Sequence, residues 1–251
     1  MKKRMTQPQD MTCGTPWKLI LMFAVPLILG NIFQELYTIV DTMVVGKKLG
    51  VNALAAVGAT GWVFMFNSML IQGFTQGFGI QIAKMVGEND TVKLKRAISN
   101  SIILSALLSI VLLLGMQLII NPAMHILRIP LNIRDISVTY LRVIFVGIPF
   151  SVAYNIFAVI LRSLGNSKTP LNAMVISTSS NIVLDILFVV GFQWGVIGAA
   201  VATIISQLLS AVYCFVILNK CDIFKANYIE FRLDIAETLV MLKLGTPMAI
   251  Q

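Results

Sequence analysis

Three acidic residues stand inside long apolar stretches of the 251-residue sequence, at Glu35, Asp41 and Asp185. A carboxylate in the hydrocarbon of a membrane costs about 2.5 kcal/mol or more even on the mildest insertion scale, so such residues often mark an ion or substrate pathway. Asn181 precedes Asp185 by four residues, which places both side chains on one helix face. Thr203 stands in the next apolar stretch. These residue types predict a site for a hard cation or a proton.

Asp41 and Asp185 are predicted to lie at one depth in the membrane. They come five and six residues before Gly46 and Gly191, which end their apolar stretches. At about 1.5 Å per helical residue, both carboxylates reach similar levels in the outer half of the membrane. Thr203 comes eight residues into the next stretch and reaches that level from the opposite direction. Because two close carboxylates do not both ionise cheaply, the pair is expected to hold a proton or a cation.

Other residues of the apolar stretches are candidates for lining or shaping a cavity. Gln34 shares a helix face with Asp41, seven residues away, whereas Glu35 lies about 120° around the helix from Asp41. Asn155 fits either a cavity wall or a hydrogen bond between helices. Pro26 is predicted to bend its helix, as a hinge or as a fixed kink. For the acidic residues, a hydrogen bond that holds helices together is the structural alternative to function.

The composition places these residues in a membrane protein. Hydrophobic residues make up 57% of the sequence and charged residues 12%, with a mean hydropathy of +0.87, whereas a soluble domain carries about 25% charge. A disordered chain is excluded and a soluble enzyme is disfavoured. The apolar stretches are continuous rather than alternating, which indicates helices. The predicted fold is all-α, a polytopic membrane protein with a six-helix transmembrane bundle and spans near 17–45, 53–83, 97–120, 137–161, 171–191 and 195–218.

The distribution of basic residues orients the predicted bundle. With the N-terminus in the cytoplasm, 14 of the 19 lysines and arginines fall on the cytoplasmic side, as the positive-inside rule requires. The net charge of +8 therefore indicates topology and not a nucleic-acid surface. We predict a multi-pass protein of the cell (inner, cytoplasmic) membrane, in contact with membrane lipid. Its predicted parts are a cytoplasmic tail at 1–14, a six-span lobe at 15–218, a cytoplasmic connection at 219–237 and the start of a seventh span at 238–251.

Local patterns predict breaks and close contacts in the bundle. The glycines of the segment 191–195 predict a turn between two spans. Pro149 is expected to bend its helix. Gly73 and Gly77 form a Gly-x-x-x-Gly pair, which permits two helices to approach closely.

The start of the seventh apolar stretch resembles the start of the first. Pro26 and Pro247 lie at equivalent places, 221 residues apart. Six spans return the chain to the cytoplasm, so a second unit would run parallel to the first, as in some secondary transporters. We therefore expect the N-terminal half of a larger carrier, or a fragment of one, with its C-terminal lobe missing. Asp234 is expected to cap the seventh helix, with Glu237 reaching back to it.

The sequence contains no catalytic constellation. Its single histidine, His125, is expected at the surface, and its three cysteines lack the spacing of metal ligands. No phosphate-cradling loop is present, so ATP-driven pumping is not supported. The protein is predicted not to be an enzyme and to need no cofactor beyond its coupling ion, H⁺ or Na⁺.

Four motifs, in chain order on the predicted spans, resemble the multidrug and toxic compound extrusion (MATE) family of cation-coupled antiporters. The similarity runs from about Thr15 to Gln251. The motifs are Pro26-Leu-Ile-Leu-Gly-Asn31 with Leu36-Tyr-Thr-Ile-Val-Asp41-Thr-Met-Val-Val-Gly46, then Val86-Gly-Glu-Asn-Asp90 with Lys95-Arg96-Ala97, then Leu161-Arg-Ser-Leu-Gly-Asn-Ser-Lys-Thr-Pro170, and finally Gly195-Val-Ile-Gly-Ala-Ala-Val-Ala-Thr203.

The resemblance implies one lobe of a two-lobe, twelve-helix carrier with a central cavity. Such carriers export small organic, cationic amphipathic compounds in exchange for H⁺ or Na⁺, which is multidrug efflux. In members with a cation site in this lobe, the site residues match Asp41, Asn181, Asp185 and Thr203, and these four would also bind the metal ion if the coupling ion is Na⁺. Gln34 and Asn155 match polar positions near that site.

Two other functions remain open at the level of sequence. A flippase for lipid-linked precursors, from the same superfamily, would need a more cationic cavity. The ionisable residues expected inside the membrane are acidic apart from Arg142, which favours cationic cargo. A membrane scaffold that transports nothing would tolerate loss of the charges at Asp41 and Asp185.

Overall fold

The computed structural model describes residues 15–88, 90–221 and 234–250, and those residues form helices without any strand. The all-α fold is therefore confirmed. The helices are α1 (Pro16–Leu49), α2 (Val51–Gly87), α3 (Thr91–Ile126), α4 (Leu131–Val146), α5 (Ile148–Ser163), α6 (Lys168–Asp185), α7 (Gly195–Leu218) and α8 (Ile235–Ile250), and a π-helical segment, Ile186–Gly191, continues α6. The predicted tail at 1–14 and residues 222–233 of the predicted connection lie outside the described residues.

Several of these helices have the length and composition of membrane spans. Within the described residues, α2, α3, α6 with its π-helical segment, and α7 are each long and apolar enough to cross a bilayer. The pair α4–α5 qualifies as a fifth span that is bent by 46°. The helix α1 has 34 residues, more than the ~20 that a crossing requires. Each predicted span coincides with one of these helices or with the bent pair, and the chain is a multi-pass membrane protein.

The breaks between helices follow the predicted signals. Pro149 lies in the first turn of α5, where the ring needs no hydrogen-bond donor, and the chain bends there. The turn between α6 and α7 contains Gln193 and Gly195, whose φ angles of 56° and 62° lie in the left-handed region. A glycine adopts that conformation without a steric penalty, so the predicted turn at 191–195 is confirmed.

The two larger of three clusters of buried apolar side chains join most of the described helices. One surrounds Phe78 and joins α2, α3, α5 and α7, and the other surrounds Phe145 and joins α2, α3, α4 and α5. On the outside, large apolar side chains such as Trp62 and Leu118 are 72% and 78% exposed. An apolar exterior of this kind is stable against lipid and not against water. The helix α1 packs mainly against α6, and α6 against α7, which brings the polar stripes of these three helices together.

The Gly-x-x-x-Gly pair of α2 lies in a close contact with another helix. A Cβ atom built on Gly73 would lie 2.3 Å from the Cα of Ala249, and one built on Gly77 would lie 2.3 Å from the Cα of Gly245. Both partners belong to α8, so small residues four apart on one helix meet small residues four apart on the other. The predicted close contact is confirmed, and its partner is the start of the seventh apolar stretch.

The N-terminus of α8 is fixed to α3 by a fully buried asparagine, Asn100. Its amide NH₂ lies 3.4 Å from the carbonyl oxygen of Asp234 and 3.2 Å from Glu237 Oε2, and its Oδ1 accepts from the Asp234 N–H at 3.1 Å. The Asp234 carboxylate accepts from the Glu237 N–H at 3.4 Å, as predicted for the cap. Glu237 Oε2 also accepts from Asn100, so Asn100 binds both groups that the predicted cap would join.

Candidate cation site and central cavity

Four polar side chains from three helices meet in the interior near the end of the bundle where α6 connects to α7. Asp41 comes from α1, Asn181 and Asp185 from α6, and Thr203 from α7. All four are buried, with exposed fractions of 7%, 1%, 0% and 4% respectively. The spacing of four residues between Asn181 and Asp185 gives them one helix face. The structure therefore brings together the four residues that were predicted as a cation site.

Hydrogen bonds order the side of this cluster that is formed by α6 and α7. In the orientation of the Asn181 amide that satisfies its neighbours, the NH₂ group donates to Asp185 Oδ2 at 2.9 Å and the oxygen accepts from the Thr203 N–H at 3.3 Å. The amide orientation is assigned from this network, since oxygen and nitrogen are distinguished only by their partners. The Thr203 hydroxyl donates to the Ala199 carbonyl at 3.1 Å.

The two carboxylates lie within hydrogen-bonding reach of each other. Asp41 Oδ1 and Asp185 Oδ1 are both buried and have no hydrogen-bond partner among the described residues. Since a buried charge is stable only when it is paired or coordinated, a shared proton or a bound cation would satisfy the pair. The donor set of two carboxylates with amide and hydroxyl oxygens fits Na⁺ as well as H⁺.

A change in helix geometry begins directly after Asp185. The segment Ile186–Gly191 is π-helical, and π-turns inserted in α-helices occur frequently at functional sites. The wider turn rotates the residues that follow it relative to a continuous α-helix. Within this segment Phe188 packs on Gly198 of α7, where a Cβ atom would lie 3.1 Å from the Phe188 backbone. This tight contact fixes the end of α6 on the beginning of α7.

A large cavity runs along the interior face of the lobe beside this cluster. Its volume is about 1160 Å³, slightly above the range of about 300–1,000 Å³ that is usual for ligand pockets. Gln34, Asn155 and Pro26 line it. Glu35, the third candidate for the cavity wall, is instead exposed on α1 and is absent from the described lining. The correction follows from helix geometry, because neighbouring residues point about 100° apart and Gln34 already faces the cavity.

Asn181 and Thr203 separate the two carboxylates from the cavity. Both line it, whereas neither Asp41 nor Asp185 does. The acidic pair therefore lies behind a wall of one amide and one hydroxyl, and not in the space that a cargo molecule would occupy.

Sequence reasoning missed the charge that does line the cavity, Arg162 on α5. In the sequence, Arg162 is one of the 14 basic residues on the predicted cytoplasmic side, and this indicates only the topology. Arg142, the basic residue that was expected inside the membrane, is exposed on α4. Three glutamines of the lining were also missed, although a polar amide within an apolar stretch is a signal that the sequence offers; they are Gln72, Gln76 and Gln207.

Comparison with known proteins decides the family. Residues 26–187, more than half of the chain, match the family model MatE. The chain belongs to the MATE family. The family predicted from the four motifs is thereby confirmed.

Curated relatives of this MATE chain include two proteins from Bacillus subtilis (strain 168). It is 29% identical to the probable multidrug resistance protein YoeA, over 93% of this chain and 52% of that protein. It is 30% identical to the probable multidrug resistance protein YpnP, over 96% of this chain and 54% of that protein. The chain therefore spans about half the length of the curated relatives that it matches.

Solved transporter structures share the fold. A MOP superfamily transporter from Pyrococcus furiosus Vc1 matches with a TM-score of 0.86 and 27% identity, over 98% of this chain and 54% of that one. For that transporter, a reversed polarity of the binding pocket is taken to suggest a different function. An outward-facing multidrug resistance MATE family transporter matches with a TM-score of 0.86 and 28% identity, over 94% and 53%. These structures support a polytopic transporter fold.

Proposed function

We propose that this chain is the N-terminal lobe of a secondary antiporter that exports small amphipathic organic compounds in exchange for H⁺ or Na⁺. One observation carries the proposal: the buried pair Asp41–Asp185 stands directly behind the wall of a cargo-sized cavity. A site for the coupling ion and a site for cargo are thus adjacent but separate. The proposal includes a second lobe, in keeping with relatives of about twice the length, and an N-terminus in the cytoplasm.

The mechanism follows from the charge of the acidic pair. Without a proton or Na⁺, the two carboxylates repel each other across the contact between α1 and α6. Binding of the cation removes that repulsion and lets α1 pack more closely, with a bend at Pro26, which lines the cavity. A closer α1 narrows the cavity. Cation and cargo then favour opposite arrangements of one equilibrium, and each lowers the affinity for the other.

The acidic pair does not determine the charge of the cargo, because it lies outside the cargo space. Cationic compounds were predicted because the ionisable residues expected inside the membrane are acidic apart from Arg142; in the structure, Asp41 and Asp185 do not line the cavity. The described lining mixes apolar groups with neutral amides and hydroxyls, a surface suited to amphipathic molecules. Cationic amphipathic compounds remain the predicted cargo in drug efflux.

A second candidate function, a flippase for lipid-linked precursors, is favoured by one observation. Arg162 lines the cavity, and a guanidinium binds the phosphate of such a lipid in a fork of two hydrogen bonds. A flippase of this type would not depend on the acidic pair for an ion gradient. The two candidates are therefore separated by the effect of Asp41 on coupled transport.

The experiment is ethidium efflux from proteoliposomes that contain the product of the complete native reading frame. An imposed H⁺ or Na⁺ gradient drives efflux in the unaltered protein. Asp41→Asn and Asp185→Asn should each abolish the response to the gradient and leave folded protein in the membrane. Glu35→Gln is the matched control, since it removes an exposed carboxylate from the same helix as Asp41 and should respond normally. Normal gradient-driven efflux by both aspartate variants would show that the pair is structural.

A further inference from the structure

Arg162 lies in the last turn of α5 and is half-buried at one end of the cavity. Among the described residues that line the cavity, it is the only one that carries a charge. The same end is lined by Ser163 and Ser167, and by Gly87 at the end of α2. We call it the α5–α6 end, because Gly165 connects these two helices there.

The Arg162 guanidinium has no anionic partner in the part of the chain that the structure describes. Ion pairs there include Lys84 with Glu88 and Lys93 with Asp90, near the connection between α2 and α3. A guanidinium stays protonated and offers five N–H donors in a planar fork. A half-buried charge with unused donors is costly unless an anion or water satisfies it. The side chain therefore presents unused binding capacity to the cavity.

The acidic pair is too far away to oppose an anion at this position. Ser167 at the start of α6 and Asn181 beside the acidic pair are 14 residues apart, which is about 21 Å along a helix. At such a separation, charges in a water-accessible cavity are screened, because the Debye length is about 8 Å at physiological ionic strength. The cavity thus carries the Arg162 guanidinium at its α5–α6 end. Near the end where α6 connects to α7, its wall is the neutral layer of Asn181 and Thr203, and the two carboxylates lie behind that layer.

We propose that Arg162 forms an anion subsite, and that the cavity takes amphipathic organic molecules that carry a carboxylate or phosphate group. The anionic group pairs with the guanidinium at the α5–α6 end, and the apolar part lies along Phe64, Ile71 and Met174 of the lining. The inference rests on the proposed transport function, and it replaces the cationic cargo predicted from the sequence by an anionic class in the same cavity. The anion could belong to a small organic acid or to a lipid phosphate, and both offer the same chemistry to the guanidinium.

The test compares two probes that differ only in charge, dansylglycine and its neutral amide dansylglycinamide. Fluorescence polarisation measures their affinities for the product of the complete native reading frame in nanodiscs of phosphatidylcholine. The acid should bind about tenfold more tightly than the amide, the size expected for hydrogen bonds to a charged group. Arg162→Gln should remove this preference, and Arg162→Lys should retain part of it, since charge remains but the planar fork is lost. Arg142→Gln is the matched control, because it removes an exposed arginine from α4.

Competition distinguishes the two sources of the anion. Displacement of dansylglycine by dihexanoyl phosphatidic acid, but not by dihexanoyl phosphatidylcholine, would assign the subsite to a lipid phosphate. Resistance to both, together with the acid preference, would assign it to small organic acids. Equal binding of acid and amide, or an acid preference that survives Arg162→Gln in a monodisperse protein, would overturn the proposal. No ion gradient is applied, so failure of coupled efflux in the aspartate experiment leaves this result unaffected.

Discussion

Replacing Gly77 by alanine is expected to push α8 away from α2. The new Cβ atom would lie 2.3 Å from the Cα and 2.5 Å from the N of Gly245. Non-bonded carbon atoms pack at about 3.5–4.0 Å, so the two helices must separate locally by about 1.2–1.7 Å. The obstructing atoms belong to the backbone and cannot rotate away as a flexible side chain would. Overpacking of this kind costs about 1–3 kcal/mol.

The matched control, Gly61→Ala, makes the same chemical change in the same helix. Gly61 is exposed, and no atom lies within 4 Å of its Cβ position. Alanine is the better helix former by about 0.8–1.0 kcal/mol, so this variant should be slightly more stable than the parent. The two substitutions are therefore expected to differ in the sign of their effect.

Hydrogen exchange of the α8 amides and the midpoint of thermal unfolding in detergent measure these effects. Gly77→Ala should accelerate exchange throughout α8 and lower the midpoint, whereas Gly61→Ala should do neither. The reasoning is refuted if exchange in α8 is the same in both variants, because the contact with α2 would then not hold α8 in place.

Two further predictions concern the α8 attachment and the topology. Asn100→Leu keeps the side-chain volume but removes the bonds to Asp234 and Glu237, so the free energy of unfolding, measured with a chemical denaturant, should fall by about 2–4 kcal/mol. The control Ser101→Ala removes a bond within α3 and should lower it less. Equal losses in the two variants would contradict the role assigned to Asn100. In a cysteine-free background, Lys93→Cys should react with a thiol reagent only from the cytoplasm and Arg134→Cys only from outside, and the reverse pattern would disprove the proposed orientation.

The helices and the acidic cluster could be predicted because each depends on a local regularity. A continuous apolar stretch must form its backbone hydrogen bonds internally, so a membrane helix is its stable structure. The fixed rise of a helix then converts sequence distance into depth. Asp41 and Asp185 were placed at one depth in this way, without knowledge of which helices are neighbours. The role of the cluster in cation binding remains a prediction.

Arg162 and Asn100 could not be assigned from the sequence, because their environments depend on distant segments. An arginine at the end of a span normally marks the cytoplasmic interface, and only the packing of α2, α5 and α6 shows that Arg162 borders the cavity. The pattern Asp234-x-x-Glu237 was predicted to close on itself. Asn100, which is fully buried and more than 130 positions earlier in the chain, binds the same groups. A rule that considers only neighbouring residues does not detect so distant a partner.

The attachment of α8 matters for the cavity because α8 supplies part of its wall. Met248 lines the cavity, as Pro26 and Gln72 do, and it immediately precedes Ala249, which packs on Gly73. The same turn of α8 thus faces the cargo space on one side and the glycine contact on the other. A shift of about 1 Å at the glycine contact would therefore be transmitted to the wall, since the helix between these neighbouring residues is rigid on that scale. The small-residue contact between α2 and α8 consequently sets the width of the cavity as well as the position of α8.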